Sequence, residues 1–111
     1  MDERARRVGL NEAVFREVNE QVESLNRGLA EISDNQMHIV CECGDLLCIE
    51  RLVVPVPRYE EIRSDSTLFF IVPGHDKPDV EDVVDQTDAY DVVRKHAGEA
   101  ARVAEQTDPR S

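Results

Sequence analysis

All three cysteines of this 111-residue chain lie in one short segment, at Cys41, Cys43 and Cys48. Thiolate sulfurs brought this close together are the usual ligands from which a protein builds a zinc site. Gly44 gives the backbone the freedom to bend directly after Cys43, so that neighbouring thiols can face one metal ion. A chain of this length has only a modest hydrophobic core, which a metal site would crosslink. The segment therefore predicts a zinc knuckle around which the rest of the chain folds.

A tetrahedral structural zinc site needs a fourth ligand, and the chain contains three histidines. His75 follows a Pro-Gly turn directly after a dense apolar run, and we expect that turn to return to the cysteines. His38 is the rival candidate, but in a strand its side chain would point to the face opposite Cys41. His96 is the least favoured. The predicted ligands of one structural zinc ion per chain are Cys41, Cys43, Cys48 and His75.

The spacing of the cysteines leaves other interpretations open. The usual knuckle separates its cysteines by two residues and occurs in pairs, a pattern that this segment does not have. Three buried thiols, a Cys43–Cys48 redox pair or an iron–sulfur cluster would also fit. If the histidine were not a ligand, a bound water would complete the site and would permit catalysis. Glu42, Asp45 and Glu50 either favour a dication or are solvated surface charges.

The charge balance restricts the partners of the chain. There are 13 basic and 24 acidic residues, which give a formal net charge of −11. Such a field repels phosphate backbones, so we expect no direct nucleic-acid binding. The charge either serves a protein partner with a basic surface or only keeps the protein soluble. One acidic run is either a face for that partner or a solvated surface, and it lacks the glycine and glutamate of a calcium loop. Its members are Asp79, Glu81, Asp82, Asp85, Asp88 and Asp91.

No apolar run approaches the roughly 20 residues that are needed to cross a bilayer. The charged start of the chain does not resemble a signal peptide. We therefore expect no membrane association and a cytoplasmic protein, in which clustered cysteines stay reduced and bind metal rather than form disulfides.

The first third of the chain predicts a charged leader at residues 1–9 and a long helix at residues 10–32. Asn11 is the predicted N-cap, with Leu10 and Phe15 forming a hydrophobic staple across it. Apolar residues then recur every three or four positions, as on one face of a helix. We expect this face to pack on the sheet of the same domain, and a homodimer seam is the alternative. The face consists of Val14, Val18, Val22, Leu25, Leu29 and Ile32.

The remainder predicts a zinc-linked sheet region at residues 37–96 and a C-terminal helix within residues 97–107. Short strands are expected at residues 37–40 and 49–56, and a buried central strand at 68–72. The Val-rich residues 80–95 favour a hairpin over a helix. A short helix that starts at Pro57 connects two of the strands. The fold class is therefore α+β, in a single domain that spans residues 1–111.

Several segments together resemble a family of small uncharacterised actinobacterial proteins. The most specific are the cysteine segment, in which Gly44 follows Cys43, and the Pro-Gly-His turn that ends at His75. The charged N-terminus, residues 59–63 and residues 90–95 also match, so the resemblance covers almost the whole chain. It implies that Cys41, Cys43 and Cys48 are paired with His75 and that the protein belongs to a bacterial cytoplasm, and it brings no activity with it.

These features favour a non-catalytic regulatory or adaptor protein that binds zinc and another protein. No Gly-rich phosphate loop and no nucleophile elbow are recognisable in the sequence, so we do not expect an enzyme. A thiol and zinc redox sensor is the alternative function, and a small zinc enzyme is the third. The last of these requires an open coordination position.

Overall fold

The computed structural model describes residues 3–28, 36–45, 47–48 and 50–110. Its helices and strands follow the predicted order, and they confirm the α+β class with a helix at the N-terminus and small antiparallel sheets. The elements are α1 (Glu3–Gly28), β1 (Gln36–Val40), β2 (Arg51–Pro55), α2 (Val56–Arg63), β3 (Leu68–Ile71), β4 (Glu81–Gln86), β5 (Asp91–Lys95) and α3 (Glu99–Gln106).

The strands form two small sheets. β1 and β2 pair antiparallel, and β3, β5 and β4 form a second antiparallel sheet in that order. The predicted hairpin at residues 80–95 is confirmed as β4 and β5. The prediction of a central strand at residues 68–72 is wrong, because β3 lies at the edge of its sheet and β5 lies in the middle. The apolar run of β3 reflects burial on both faces of the sheet.

Each face of the three-stranded sheet contributes to a different part of the core. On one face, the Phe70 ring stacks on Tyr59 with 5.8 Å between ring centroids and meets Tyr90 edge-on at 5.3 Å. On the other face, Phe69 packs in a cluster with Cys41 and Cys43. Successive residues of a strand point to opposite faces, so one short apolar strand supplies both clusters. The cysteine segment is therefore part of the hydrophobic core.

Helix α1 begins earlier than the sequence indicates. It starts at Glu3, so the prediction of a leader that extends to residue 9 is wrong over the residues that the structure describes. Asn11 lies within the helix instead of capping it, and its side-chain amide donates a hydrogen bond to the carbonyl of Gly44 at 3.1 Å. Leu10 is 43% exposed and does not form the predicted staple. Residues 29–35, where the helix was predicted to end, lie outside the described residues.

The face of α1 that packs against the domain is polar. Glu12, Arg16 and Asn19 are fully buried and Glu23 is almost so. The Arg16 guanidinium donates to the carbonyls of Ser66 (2.6 Å) and Ala104 (2.8 Å). These bonds give the buried guanidinium polar partners, which is why a charged face can be buried here.

Two members of the predicted apolar face of α1, Val14 and Val18, consequently point away from the sheet. Val14 is 57% exposed and Val18 is 41% exposed, whereas Val22 is partly buried against the core. The prediction that this apolar face packs on the domain's own sheet is therefore wrong for Val14 and Val18. The side chains of Leu25, Leu29 and Ile32 lie outside the part of the chain that the structure describes.

A buried group of three charged residues links α1 to the three-stranded sheet. The Lys95 ammonium lies 2.8 Å from one carboxylate oxygen of Glu12 and 2.8 Å from one of Glu81, and all three side chains are fully buried. Burial raises the pKa of Glu12 to about 8, although Lys95 opposes the shift. The buried contacts of Lys95 with Glu12 and Glu81 thus fix this part of α1 to β4 and β5.

Candidate metal centre

The chain enters the candidate site directly from β1. The Cys41 amide donates to the carbonyl of Glu50 at 3.0 Å, and the next amide, that of Glu42, donates to Phe70 of the other sheet at 2.9 Å. Because side chains alternate along an extended chain, Cys41 and Cys43 point to one side and Glu42 to the other. Both cysteines are buried, at 2% and 1% exposure. The segment therefore bridges the two sheets and holds two thiols on a common side.

A tight turn returns the chain to these thiols. Gly44 has a φ of +81°, and a Cβ at this position would lie 2.9 Å from the Glu12 side chain, so both backbone conformation and space require glycine. The amide of Cys48 then donates to the carbonyl of Asp45 at 2.9 Å, while the Asp45 carboxylate accepts from the Leu47 amide at 2.9 Å. These bonds bring the half-buried Cys48 back to the first two cysteines.

The fourth residue arrives on the turn that follows β3. The His75 amide donates to the carbonyl of Val72 at 2.9 Å, and Gly74 within the turn has a φ of +89°. The Gly74 amide also donates to the carboxylate of Asp91 at 3.3 Å, which fixes the turn to β5. The turn thus holds the imidazole against the cysteine segment.

The four predicted residues come together in one group. One ligand atom from each of Cys41, Cys43, Cys48 and His75 lies within 4.8 Å of every other. The Nδ1 atom of His75 is 3.7 Å from the sulfur of Cys41 and 3.7 Å from that of Cys48. Tetrahedral zinc, with bonds of about 2.3 Å to sulfur and about 2.0–2.1 Å to nitrogen, would separate such atoms by roughly 3.6 Å. These residues therefore form a potential metal site.

The other two histidines lie elsewhere. His38 is exposed on β1, opposite Val53 in the hairpin. The Nε2 atom of His96 lies 3.1 Å from the carboxylate of Asp82. Neither belongs to the group of four, so the structure places the predicted histidine, and not its rivals, beside the cysteines.

Backbone amides are arranged to stabilise negative sulfur. The Val72 amide donates to the sulfur of Cys41 at 3.2 Å. A hydrogen bond from the Cys41 thiol, together with the amide of Asp45, lowers the pKa of Cys43 to about 4. The same bond raises the pKa of Cys41, whose proton is held between the two sulfurs. The pKa of Cys48 is raised mainly by burial. One sulfur is therefore ready to bind a cation as a thiolate.

Two further charges border the group. The Glu50 carboxylate lies 3.2 Å from Nε2 of His75, on the far side of the ring from the sulfurs. A carboxylate in this position orients a ligating imidazole and increases its basicity. The Lys77 ammonium donates to the carbonyl of Cys43. The sequence indicated Glu50 only as one of several acids near the cysteines, and nothing in it indicated Lys77.

Glu42 has a structural role that the sequence did not indicate. Its side chain is fully buried, so it is neither a solvated surface charge nor directed at the sulfurs. Its carboxylate accepts hydrogen bonds from Arg63 (3.2 and 3.1 Å), from the Asn19 amide group (2.7 Å) and from the backbone amide of Phe70 (3.0 Å). The sequence carried one signal for this orientation. Glu42 lies between Cys41 and Cys43, and in an extended chain its side chain points to the side opposite the two cysteines. The sequence carried no signal for Arg63 or Asn19.

The acidic run at residues 79–91 does not form one continuous face. Glu81 and Asp91 are buried, where they accept hydrogen bonds from Lys95 and from the amide of Gly74. Asp82 and Asp88 are exposed, and Asp85 pairs with Arg58 at 2.6 Å. The acidic surface of this region is therefore smaller than the sequence suggests.

The fold and the group of four together define a small α+β protein with a potential metal centre. Comparison with protein-family models, curated proteins and solved structures gives no match for this chain. The resemblance to small actinobacterial proteins accordingly stays a prediction. Among the residues that the structure describes, no helix combines the length and the apolar character needed to cross a membrane.

Proposed function

We propose that this chain is a non-catalytic zinc-binding protein whose single zinc ion is structural. The observation that carries the proposal is the convergence of Cys41, Cys43, Cys48 and His75 within 4.8 Å. Three sulfurs and one imidazole nitrogen are a donor set that suits zinc and leaves no coordination position for water. A closed site cannot activate a nucleophile, which favours a structural role over an enzyme. A reducing cytoplasm, where thiols stay free, is the compartment that fits such a site.

The position of the site explains what the ion would stabilise. Residues 41–48 lie between β1 and β2 in the chain, and His75 lies on the turn after β3 of the other sheet. A zinc ion bound to both would join the two sheets at a point where the backbone contributes a single described hydrogen bond, from Glu42 to Phe70. Zinc would thus replace apolar core that a chain of this size lacks.

The metal content of the purified protein tests this proposal. We expect one zinc ion per chain in the wild type and a substantially weakened zinc affinity in His75→Ala, because that variant removes one of four ligands. His38→Ala is the matched control and is expected to retain the zinc content of the wild type. Elemental analysis of the three proteins provides the measurement. Iron, no metal, or equal zinc retention by both variants would contradict the proposed site.

We also propose a regulatory or adaptor role, in which a protein with a basic surface binds along β4. The net charge of −11 favours such a partner, and β4 is one of the two outer strands of the described three-stranded sheet. Asp82 and Asp88, at and beyond this strand, are exposed. An outer strand can pair with an extended segment of another chain.

An alternating Lys-Val peptide tests this role. Chemical-shift changes confined to β4 when the peptide is added to the wild type, and absent when it is added to Asp82→Lys, would support the role. Glu105→Lys is the charge-matched control, and absence of the changes in this variant as well would mean that the attraction is non-specific.

A zinc and thiol redox sensor is the second candidate, and the unequal burial of the cysteines favours it. Cys48 is half-buried whereas Cys43 is 1% exposed, so an oxidant can reach one sulfur of a close pair. Hydrogen peroxide would take two electrons from the two thiolates, giving a Cys43–Cys48 disulfide and two waters, with two protons consumed and zinc released. Zinc release at low peroxide concentrations would favour this function, and thiols inert to peroxide would eliminate it.

A further inference from the structure

Helix α1 exposes a row of apolar side chains on the face opposite its buried polar side. Leu10 is 43% exposed, Val14 57% and Val18 41%, and they are separated by four residues each. This spacing puts them in one row about 12 Å long on a helix. Single exposed apolar side chains are ordinary on protein surfaces, whereas a row of three on one helix face forms a patch. We refer to these three residues as the α1 stripe.

The charges beside the α1 stripe change sign along the helix. Arg6 and Arg7 are exposed before Leu10, and Glu17 is exposed next to Val18 at the other end. Arg6 and Glu17 are eleven positions apart in the sequence. At about 100° per residue, they lie within about 20° of each other, on the same edge of the stripe. The two ends of the stripe therefore carry opposite charges on one edge. The face is consequently complementary to the same face of a second chain whose helix runs in the opposite direction.

We propose that the α1 stripe binds the α1 stripe of a second copy of this chain, with the two helices antiparallel and the two-fold axis midway between Leu10 and Val14. Leu10 then contacts Val14 of the second copy, and the same contact recurs on the other side of the axis. Arg6 lies six positions before the level of the axis and Glu17 five positions after it. Arg6 of one copy is thus within about 1.5 Å, measured along the helix, of the level of Glu17 in the other.

The two-fold axis that relates antiparallel helices puts the same edge of both stripes on the same side of the interface. Arg6 of one copy therefore meets Glu17 of the second copy there. Val18 of one copy reaches the level of Arg6 and Arg7 of the other, where their aliphatic stems can cover it. Glu3, which is also exposed, reaches the level of the uncharged Gln21. Such an isologous contact closes after two chains and leads to a dimer.

The charges favour an antiparallel second copy of this chain over a parallel pair and over an anionic membrane surface. A parallel pair would bring the arginines of both copies together at one end and both Glu17 side chains together at the other, so that like charges would meet. An anionic membrane surface would be repelled by Glu3 and Glu17 and by the net charge of −11. The same net charge and the small apolar area make the dimer a weak one, in the size class of transient interfaces.

Sedimentation equilibrium of the full-length protein tests the proposal, over concentrations from about 1 µM to about 1 mM, a range that brackets weak association. We expect the apparent mass of the wild type to rise toward that of a dimer. Val14→Glu should weaken the association by about tenfold or more, because a carboxylate would lose its water against Leu10 of the second copy. Val84→Glu is the matched control, since Val84 is an equally exposed valine (51%) on β4, and it should associate like the wild type.

A charge exchange tests the antiparallel orientation. Arg6→Glu should weaken the dimer severalfold, and the exchange Arg6→Glu/Glu17→Arg should restore it, because opposite charges would again meet across the interface. Arg102→Glu on α3, whose side chain is 63% exposed, controls for the change in net charge. A wild type that stays monomeric throughout, or a Val14→Glu variant that dimerises equally well, would overturn the proposal. Failure of the charge exchange to restore association would overturn the antiparallel arrangement.

The proposed dimer goes beyond the proposed function and is independent of the metal site. The α1 stripe lies on the outer face of the helix, whereas Glu12 and Asn11, on other sides of the same helix, approach the cysteine segment at Gly44. Zinc content measured on the monomeric Val14→Glu variant therefore reports on the metal site alone, and sedimentation of the metal-loaded wild type reports on the dimer alone.

Discussion

Removing the proposed zinc ion with a chelator, or replacing Cys43 with serine, is expected to unfold much of residues 37–76. Cys43 is 1% exposed in the segment that bridges the two sheets, so the loss of its thiolate opens the site and leaves a hydroxyl in the core. Structural zinc contributes apparent binding free energies on the order of 10–16 kcal/mol, against a net stability of about 5–15 kcal/mol for a whole domain. The expected effect therefore equals or exceeds the stability of the fold.

Far-UV circular dichroism and thermal unfolding, with and without chelator, measure this effect. Leu47→Ser is the matched control, since Leu47 lies in the same loop but is 89% exposed, and it should melt close to the wild type. Hydrogen exchange would locate the change, with β1 and β2 losing protection before the β5 strand at the centre of the other sheet. Unchanged circular dichroism and melting after chelation would refute the prediction.

Breaking the buried pair between Glu42 and Arg63 is expected to cost about 3–5 kcal/mol of unfolding free energy. Both side chains are fully buried, and Nη1 of Arg63 lies 3.1 Å from Oε2 of Glu42. Arg63→Met leaves the Glu42 carboxylate with its hydrogen bonds from Asn19 and Phe70 but without its direct ion-pair partner. Because Glu42 lies between Cys41 and Cys43, we also expect the variant to bind zinc more weakly.

Urea unfolding of the metal-loaded protein, followed by circular dichroism, gives the free energies. Arg58→Met is the control, because it breaks ion pairs with Glu61 and Asp85, whose carboxylates are exposed to solvent, and each such pair is expected to cost only about 0–1 kcal/mol. If Arg63→Met were no more destabilising than Arg58→Met, the buried pair would not hold the cysteine segment in place.

Much of the candidate site was predictable because its information is local. The chemistry of cysteine, the clustering of the three thiols and the glycine after Cys43 indicated a metal site without any tertiary structure. The Pro-Gly turn identified His75, because a turn directly after a buried strand has to reverse the chain. The supporting residues were not predictable in the same way. Arg63 and Asn19 reach Glu42 across 21 and 23 positions of sequence, and no spacing rule connects them.

The strands were predictable for a similar reason, whereas their order was not. Alternation and Val-rich composition indicate β4 and β5, and two adjacent antiparallel strands need only a short turn. The edge position of β3 depends on β5 pairing with both β3 and β4. A dense apolar run indicates that a strand is buried on both faces. An edge strand can also be buried on both faces when another segment covers it, as the cysteine segment covers β3. Hydrophobicity by itself cannot distinguish the two cases.

The sequence by itself determined that α1 is a helix, that the fold is α+β and that three cysteines and a histidine are the candidate ligands. Only the tertiary structure decided which face of α1 is buried. Apolar periodicity favoured the Val14 and Val18 side, but Arg16 finds the carbonyl of Ala104, 88 positions away, and its guanidinium lies 4.6 Å from the centre of the Phe69 ring. A polar face is buried when distant elements supply its partners, and those partners exist only once the chain has folded.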